Sequence, residues 1–153
     1  MISRRNPRLP DYDYRRPGVY FVTICTLGKV CSLGRAVGGD AHIAPHIALT
    51  ALGRCCETYL RSMPGMREFV VMPNHVHFLL ELSHGPMWAS APTRSLPDEV
   101  RSFKTLVTKA HGAPVWQRSY YDHIVSDEND FLRIDGYIRG NPARWAGDRF
   151  FER

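Results

Sequence analysis

Two histidines one residue apart, His75 and His77, stand at the head of the stretch 74–82, where the residues alternate between apolar and other types. That alternation has the period of a half-buried strand. Val76, Phe78, Leu80 and Leu82 fall on one face, and His75, His77, Leu79 and Glu81 on the other. The apolar set must cover a core. The second face opens with two imidazoles whose Cα atoms lie on the order of 6.5–7 Å apart. From that separation both rings can reach one ion, and neutral imidazole is a common metal ligand. The bland alternative is a pair of histidines on a solvated strand face, because any His-x-His in a strand has this spacing.

A second group of residues able to do chemistry lies near the other end. Tyr137 and Asn141 are four apart, so they stack on one helix face if the helix persists that far. A phenol, which can be a nucleophile, and an amide oxygen, which can be a ligand, then reach the same point. Against this, Asn141 precedes a proline, a position biased out of helical geometry. An aromatic helix residue with an asparagine near the helix end is the bland alternative. Tyr120 and Tyr121 are rival nucleophiles, but no candidate ligand pairs with either at helical spacing, and such aromatics commonly pack or stack on bases. Glu81 shares the histidine face and is a candidate to support a ligand from behind. His111 and His123 read as structural or phosphate-contacting.

The elements that must position these residues can be read in order. Residues 19–26 are β-branched and aromatic, a strand. A glycine-rich connection follows through Gly28, Gly34, Gly38 and Gly39. The spacing of Ala48, Leu52, Cys55 and Tyr59 predicts a helix over 45–62, started by Pro45 and ended by Pro64 and Gly65. A strand over 67–72 precedes the histidine strand, with Pro73 and Asn74 between them. After a loop over 84–97, Ser95 as N-cap and Asp98 three residues on predict a helix to about His111. Its inward stripe is Val100, Phe103, Val107 and Ala110; the opposite stripe is Arg101, Lys104, Thr108 and His111, with Lys109 beside it. That cationic face is either simply solvated or touches phosphates. Residues 115–125 read as a short strand pair or an irregular strand. Ser126 or Asp127 then caps a helix to about Arg139, with Phe131, Ile134 and Ile138 inward, and Pro142 stops it. Strand, helix, two strands, helix, strand, helix implies an α+β fold, a ferredoxin-like antiparallel sheet with helices packed on one face.

The 153 residues suit one domain, with 1–17 as a basic arm and 18–146 as the core. Hydrophobic residues at 44% and charged ones at 23% exclude a mostly disordered chain. The arm sets Arg4, Arg5, Arg8, Arg15 and Arg16 among prolines, with Tyr12 and Tyr14 interleaved. It reads as a solvated tail or as an arm that grips a nucleic-acid backbone and stacks on bases. A formal net charge of +5 suits a polyanionic partner. Lysine stands only at 29, 104 and 109, and arginine suits bidentate phosphate contact. Cys25, Cys31, Cys55 and Cys56 form no Cys-x-x-Cys pair. With no leader and no apolar run long enough to span a bilayer, the expectation is a cytoplasmic protein with reduced, buried thiols and no membrane partner.

Three blocks occur in order: Pro73-Asn74-His75-Val76-His77, then Trp116-Gln117-Arg118-Ser119-Tyr120-Tyr121-Asp122-His123-Ile124, then Tyr137-Ile138-Arg139-Gly140-Asn141-Pro142. Together they resemble the REP-associated tyrosine transposases, single-tyrosine members of the HUH (His-hydrophobic-His) nuclease superfamily, over residues of about 17 to 146. The resemblance implies the HUH endonuclease fold and a metal-dependent endonuclease and strand transferase acting on single-stranded or hairpin DNA of repeat elements. His75 and His77 match the metal-binding pair, Tyr137 the nucleophile, and Asn141 the place of a third, polar ligand. Mg²⁺ or Mn²⁺ is the implied ion. Arg4, Arg5, Arg15, Arg16, Arg101, Lys104, Lys109, Arg118, Tyr120 and Tyr121 are the candidate DNA contacts. The implied setting is the nucleoid, as monomer or homodimer. The chain lacks an obvious long C-terminal extension, which leaves open the DNA features that such extensions read.

The chemistry suits the residue types. An ion on two imidazoles and an amide oxygen keeps positions open for phosphate oxygens and offsets charge building in the transition state. Attack by a phenol leaves a 5′-phosphotyrosine link and a free 3′-hydroxyl, so a different 3′ end can be rejoined without ATP. Two other classes compete. One is a non-catalytic DNA- or RNA-binding regulator on the same fold; the other is a zinc hydrolase, for which there is no His-Glu-x-x-His signature.

Overall fold

The computed structural model describes residues 18–83, 94–148 and 150–151. The sheet is built on its two middle strands. The β-branched and aromatic residues near the start form β1 (Gly18–Cys25), and the alternating stretch forms β5 (His75–Leu82). The two pair antiparallel along their whole length, from Gly18 opposite Leu82 to Cys25 opposite His75. Outside them lie β4 (Met66–Met72), paired with β5, and β6 (Tyr121–Ile124), paired with β1. The sheet order is therefore β4-β5-β1-β6. With α1 (Ala51–Ser62) joining β1 to β4 and α2 (Leu96–His111) joining β5 to β6, the ferredoxin-like topology expected from the element order is present.

One face of this sheet carries the main core. Tyr20, Val22 and Ile24 of β1 and Val76, Phe78 and Leu80 of β5 are fully buried there against Leu60 and Cys56 of α1 and Phe103 and Val107 of α2. Cys56 lies deep enough that burial, then the neighbouring Cys55, pushes its thiol up to about 12. The start of α2 is as its sequence predicts. Ser95 and Asp98 form a reciprocal capping box, and Gly112 ends the helix in left-handed geometry at φ 83°.

Three features differ from the sequence reading. The last helix, α3 (Glu128–Arg139), packs on the opposite face from α1 and α2, so the helices do not share one side. Its Ile134 and Ile138 close on Leu79, flanked by Val19, Phe21 and Val70. Those side chains make an apolar patch beside the histidines that solvent could not cover cheaply, and both faces of β5 are buried. Second, the glycine-rich connection contains a hairpin of β2 (Gly34–Val37) and β3 (His46–Leu49). Third, α1 consequently begins after Thr50, not at Pro45. Thr50 Oγ1 accepts from Gly53 N at 3.1 Å, and the buried stripe runs Leu52, Cys56, Leu60 rather than through Cys55 and Tyr59. Ala48, at a helical distance from Leu52, is instead paired with Arg35 in the hairpin.

Around 115–125, the irregular alternative holds for the first part: Trp116 makes one isolated bridge to Thr26, and regular pairing begins only at Tyr121. Asp127 is the N-cap of α3, accepting from Asp130 N at 2.8 Å. Pro142 ends the α-helix by opening a 3-10 turn over Pro142–Gly147. No helix among the described residues is long and apolar enough to cross a membrane.

Candidate active site

Strand alternation puts His75, His77 and Leu79 on the α3 face of the sheet, and both imidazoles are buried. Their outer nitrogens are tied down by groups distant in sequence or in role. Asn74 donates its amide Nδ2 to the carbonyls of Phe150 (2.6 Å) and Lys29 (3.2 Å). That fixes which end of the amide is oxygen, and Oδ1 faces His75 Nδ1 at 2.8 Å. His75 therefore donates from Nδ1, leaving its Nε2 lone pair bare. This lone pair points at Nε2 of His77, 3.1 Å away. On the far side, His77 Nδ1 meets Thr23 Oγ1 at 2.7 Å, from the residue opposite it on β1. A hydroxyl can accept or donate. With Thr23 donating, a proton on His77 Nε2 satisfies the pair; with Thr23 accepting, both Nε2 lone pairs face one point, which suits a cation. The rings are walled by Phe21, stacked on His77 at 5.3 Å, and by Phe150, 4.5 Å from His75.

Tyr137 packs its ring beside His77 from α3. Its ring centroid lies 5.4 Å from that of His77 and 6.2 Å from that of Phe21. Asn141, one turn on, is buried, and its Nδ2 donates to the Tyr137 carbonyl at 3.2 Å. Its Oδ1 is buried with no hydrogen-bond partner among the described residues, an unsatisfied acceptor of the kind that a bound cation would engage. A carboxylate joins them: Asp148, half-buried, offers an oxygen in a group with His75 and His77 whose ligand atoms all lie within 4.8 Å of one another. These three residues could hold a metal ion. The donor set fits a divalent cation, with two imidazole nitrogens and the Asp148 carboxylate oxygen in one group.

The sequence reading did not assign Asp148, Asn74, Thr23 or Arg144. Asp148 lies beyond the end of α3, after the 3-10 turn, so helical periodicity does not place it and only the fold brings it back. Arg144 lies over the Tyr137 ring, 5.4 Å from guanidinium carbon to centroid. The signal for Asn74 was its position between Pro73 and the strand.

Other expected residues lie elsewhere. The ring of Tyr120 belongs to the core on the α1/α2 face and is 7% exposed, leaving little surface for a base to stack on. Tyr121, paired with Thr23, stays on the histidine face two strands from His75. Lys104 donates to the carbonyls of Gln117 and Ser119, at 2.8 and 3.2 Å, and so ties down its loop. Arg101, Lys109 and Arg118 are exposed, but α2 carries the first two on the far side of the sheet from Tyr137. Glu81 pairs with Arg67 at 2.9 Å, not with a histidine. His123 pairs with Asp130 at 2.8 Å, and His111 is exposed at the end of α2. Arg4, Arg5, Arg15 and Arg16 lie outside the described residues.

A ferredoxin-like sheet with a histidine pair on an inner strand and a tyrosine-bearing helix laid across it is the class that these observations define. No protein-family model matches the chain. It is 34% identical to an uncharacterized protein of Haemophilus influenzae, over 97% of this chain and 93% of that one. It is 25% identical to a second H. influenzae protein, provisionally named a REP-associated tyrosine transposase, over 86% of this chain and 74% of that one. Among solved structures, a REP-associated tyrosine transposase bound to a REP hairpin matches with a TM-score of 0.59 at 21% identity, over 94% of this chain and 74% of that chain. At that identity the structural likeness is one of fold. The chain thus resembles REP-associated tyrosine transposases both in sequence and in its α+β architecture.

Proposed function

We propose that this protein is a metal-dependent single-stranded DNA endonuclease and strand transferase of the REP-associated tyrosine transposase type, acting on hairpin-forming repeat DNA. The observation that carries the reading is the approach of Tyr137 to His77, 5.4 Å between ring centroids, beside two Nε2 atoms 3.1 Å apart. The hairpin is inferred from the similar structure, which is bound to one. His75 and His77 would hold the ion, with Asn141 Oδ1 and an Asp148 oxygen as the offered third and fourth positions. Bound there, Mg²⁺ or Mn²⁺ would polarise the phosphodiester and offset the charge that builds on it. Asn74 holds His75 in the ligating tautomer, and Thr23, accepting from Nδ1, would hold His77 in it. The Tyr137 phenol loses its proton and its oxygen bonds to phosphorus. The 3′ oxygen leaves and takes up a proton, giving a 5′-phosphotyrosine and a free 3′-hydroxyl. The reverse displacement by another 3′-hydroxyl regenerates Tyr137 and joins the strand. Such work on repeat DNA belongs at the nucleoid.

The test is incubation with a single-stranded hairpin oligonucleotide and Mn²⁺, followed by denaturing electrophoresis. Wild-type protein is expected to give a covalent adduct, and Tyr137→Phe none, with hairpin binding kept. An undiminished adduct in Tyr137→Phe would move the nucleophile to Tyr121. Hairpin binding with no adduct from wild-type protein, in either Mn²⁺ or Mg²⁺, would leave the non-catalytic binder.

A further inference from the structure

Arg144 combines three observations that no role so far uses. Its guanidinium lies 5.4 Å over the Tyr137 ring, a cation–π contact. Its Nη2 also donates to the Tyr137 carbonyl at 2.9 Å, so the fork is held both to the ring and to the backbone of the same residue. The third observation is Gly140. Its backbone is ordinary right-handed helix, φ −86° and ψ −1°, so nothing in the dihedrals calls for glycine. A Cβ there would instead stand 3.0, 3.1 and 3.2 Å from Nη1, Nη2 and Cζ of Arg144. The glycine leaves room for the guanidinium.

A guanidinium has five N–H donors in a planar fork, and the carbonyl of Tyr137 takes one. The residue is exposed and sits beside the ring whose hydroxyl would attack. Its ring contact among the described residues is with the nucleophile, whereas the nearby Arg139 is taken up by Glu68 at 2.7 Å and Asp135 at 2.9 Å. We propose that Arg144 is a catalytic residue that joins nucleophile and substrate. It holds Tyr137 in line and presents its remaining donors to a non-bridging oxygen of the phosphodiester under attack. The inference rests on the reading of Tyr137 as the nucleophile. Its ligand is one phosphate of a single-stranded DNA backbone, which a bidentate arginine fork matches better than a lysine does.

Two measurements on the intact chain test it. The first is the rate of adduct formation with hairpin DNA and Mn²⁺, and the second is the salt dependence of hairpin affinity without added metal. Arg144→Ala should lower the adduct rate about a hundredfold, the scale seen when one donor to transition-state charge is removed. It should also flatten the slope of log affinity against log salt by about 0.7, the signature of one lost single-strand phosphate contact. Arg144→Lys should restore the slope but only part of the rate. Gly140→Ala, which crowds the guanidinium, should lower the rate in the same direction and add little to Arg144→Ala. A wild-type rate in Arg144→Ala would overturn the proposal. A lowered rate with an unchanged slope would also overturn the phosphate contact, leaving Arg144 to orient Tyr137 alone. If wild-type protein forms no adduct, the nuclease reading fails instead, and the slope alone then decides whether Arg144 touches phosphate.

Discussion

Metal affinity at this site should depend on residues that touch no metal. Asn74 sets which nitrogen of His75 carries the proton, through a contact of 2.8 Å, and Thr23 meets His77 Nδ1 at 2.7 Å. Losing such a partner commonly costs 10–100-fold in affinity. Thr23→Val and Asn74→Ala should each weaken Mn²⁺ binding by about that factor in calorimetric titration. Asp148→Asn and Asn141→Ala, measured the same way, rank the two oxygens. Loss of binding in Asp148→Asn with none in Asn141→Ala would make the carboxylate the third ligand. His75 and His77 were legible from sequence because strand alternation aligns them with no help from the rest of the chain. Their partners were not. Thr23 reaches across 54 residues and the Phe150 carbonyl across 76, and no local periodicity carries such a pairing.

At the scale of elements, α3 decides whether the tyrosine is presented at all, and its first turn is an electrostatic device. Asp130 receives hydrogen bonds from Ser126 N and His123 Nε2 and pairs with Arg133 at 2.7 Å. The hydrogen bond from the Ser126 backbone, then those from His123 and Arg133, hold its carboxyl far below the usual carboxylate range. A depressed folded-state pKa stabilises the fold above the unfolded value of about 3.9 and is lost as pH falls through and below it. Asp130→Asn should therefore lower the melting temperature at pH 6 to 7, and the gap to wild type should begin to narrow in melts taken below about pH 4. A gap that persists unchanged at the lowest pH would mean that the charge is not what matters. The cap at Asp127 and the box at Ser95 were readable because capping is local chemistry. The side of the sheet on which α3 lies was not. The patch it covers is assembled from Leu79, Phe21 and Val70, on three strands, and each strand alone gives no sign of it. The hairpin of β2 and β3 was missed for a similar reason: four residues per strand, among glycines, make too short a pattern to outweigh the helical spacing of Ala48 and Leu52.

For the whole molecule, the sheet divides the charges. Arg101 and Lys109 ride on α2, behind the core, while Arg144 and Tyr137 stand on the other side. If, as proposed, a DNA strand enters the site on the α3 face and not at α2, Arg101→Ala with Lys109→Ala should change the adduct rate by less than about twofold. The salt slope should likewise lose much less than the roughly 1.4 expected for two single-strand phosphate contacts. A slope reduced by that amount would show that the DNA wraps around the sheet to reach α2. Helical spacing aligns Arg101 and Lys104 on one stripe of α2, but it does not say on which side of the sheet that stripe lies.

β5 has a further consequence for how such a protein can change over time. Its even-numbered residues, Val76, Phe78 and Leu80, are committed to the main core, and its odd-numbered ones, His75 and His77, to the candidate metal site. Mutational drift can therefore erase one function without the other. A relative without the two imidazoles could keep the same core, the difference being written only in every second position of a single strand.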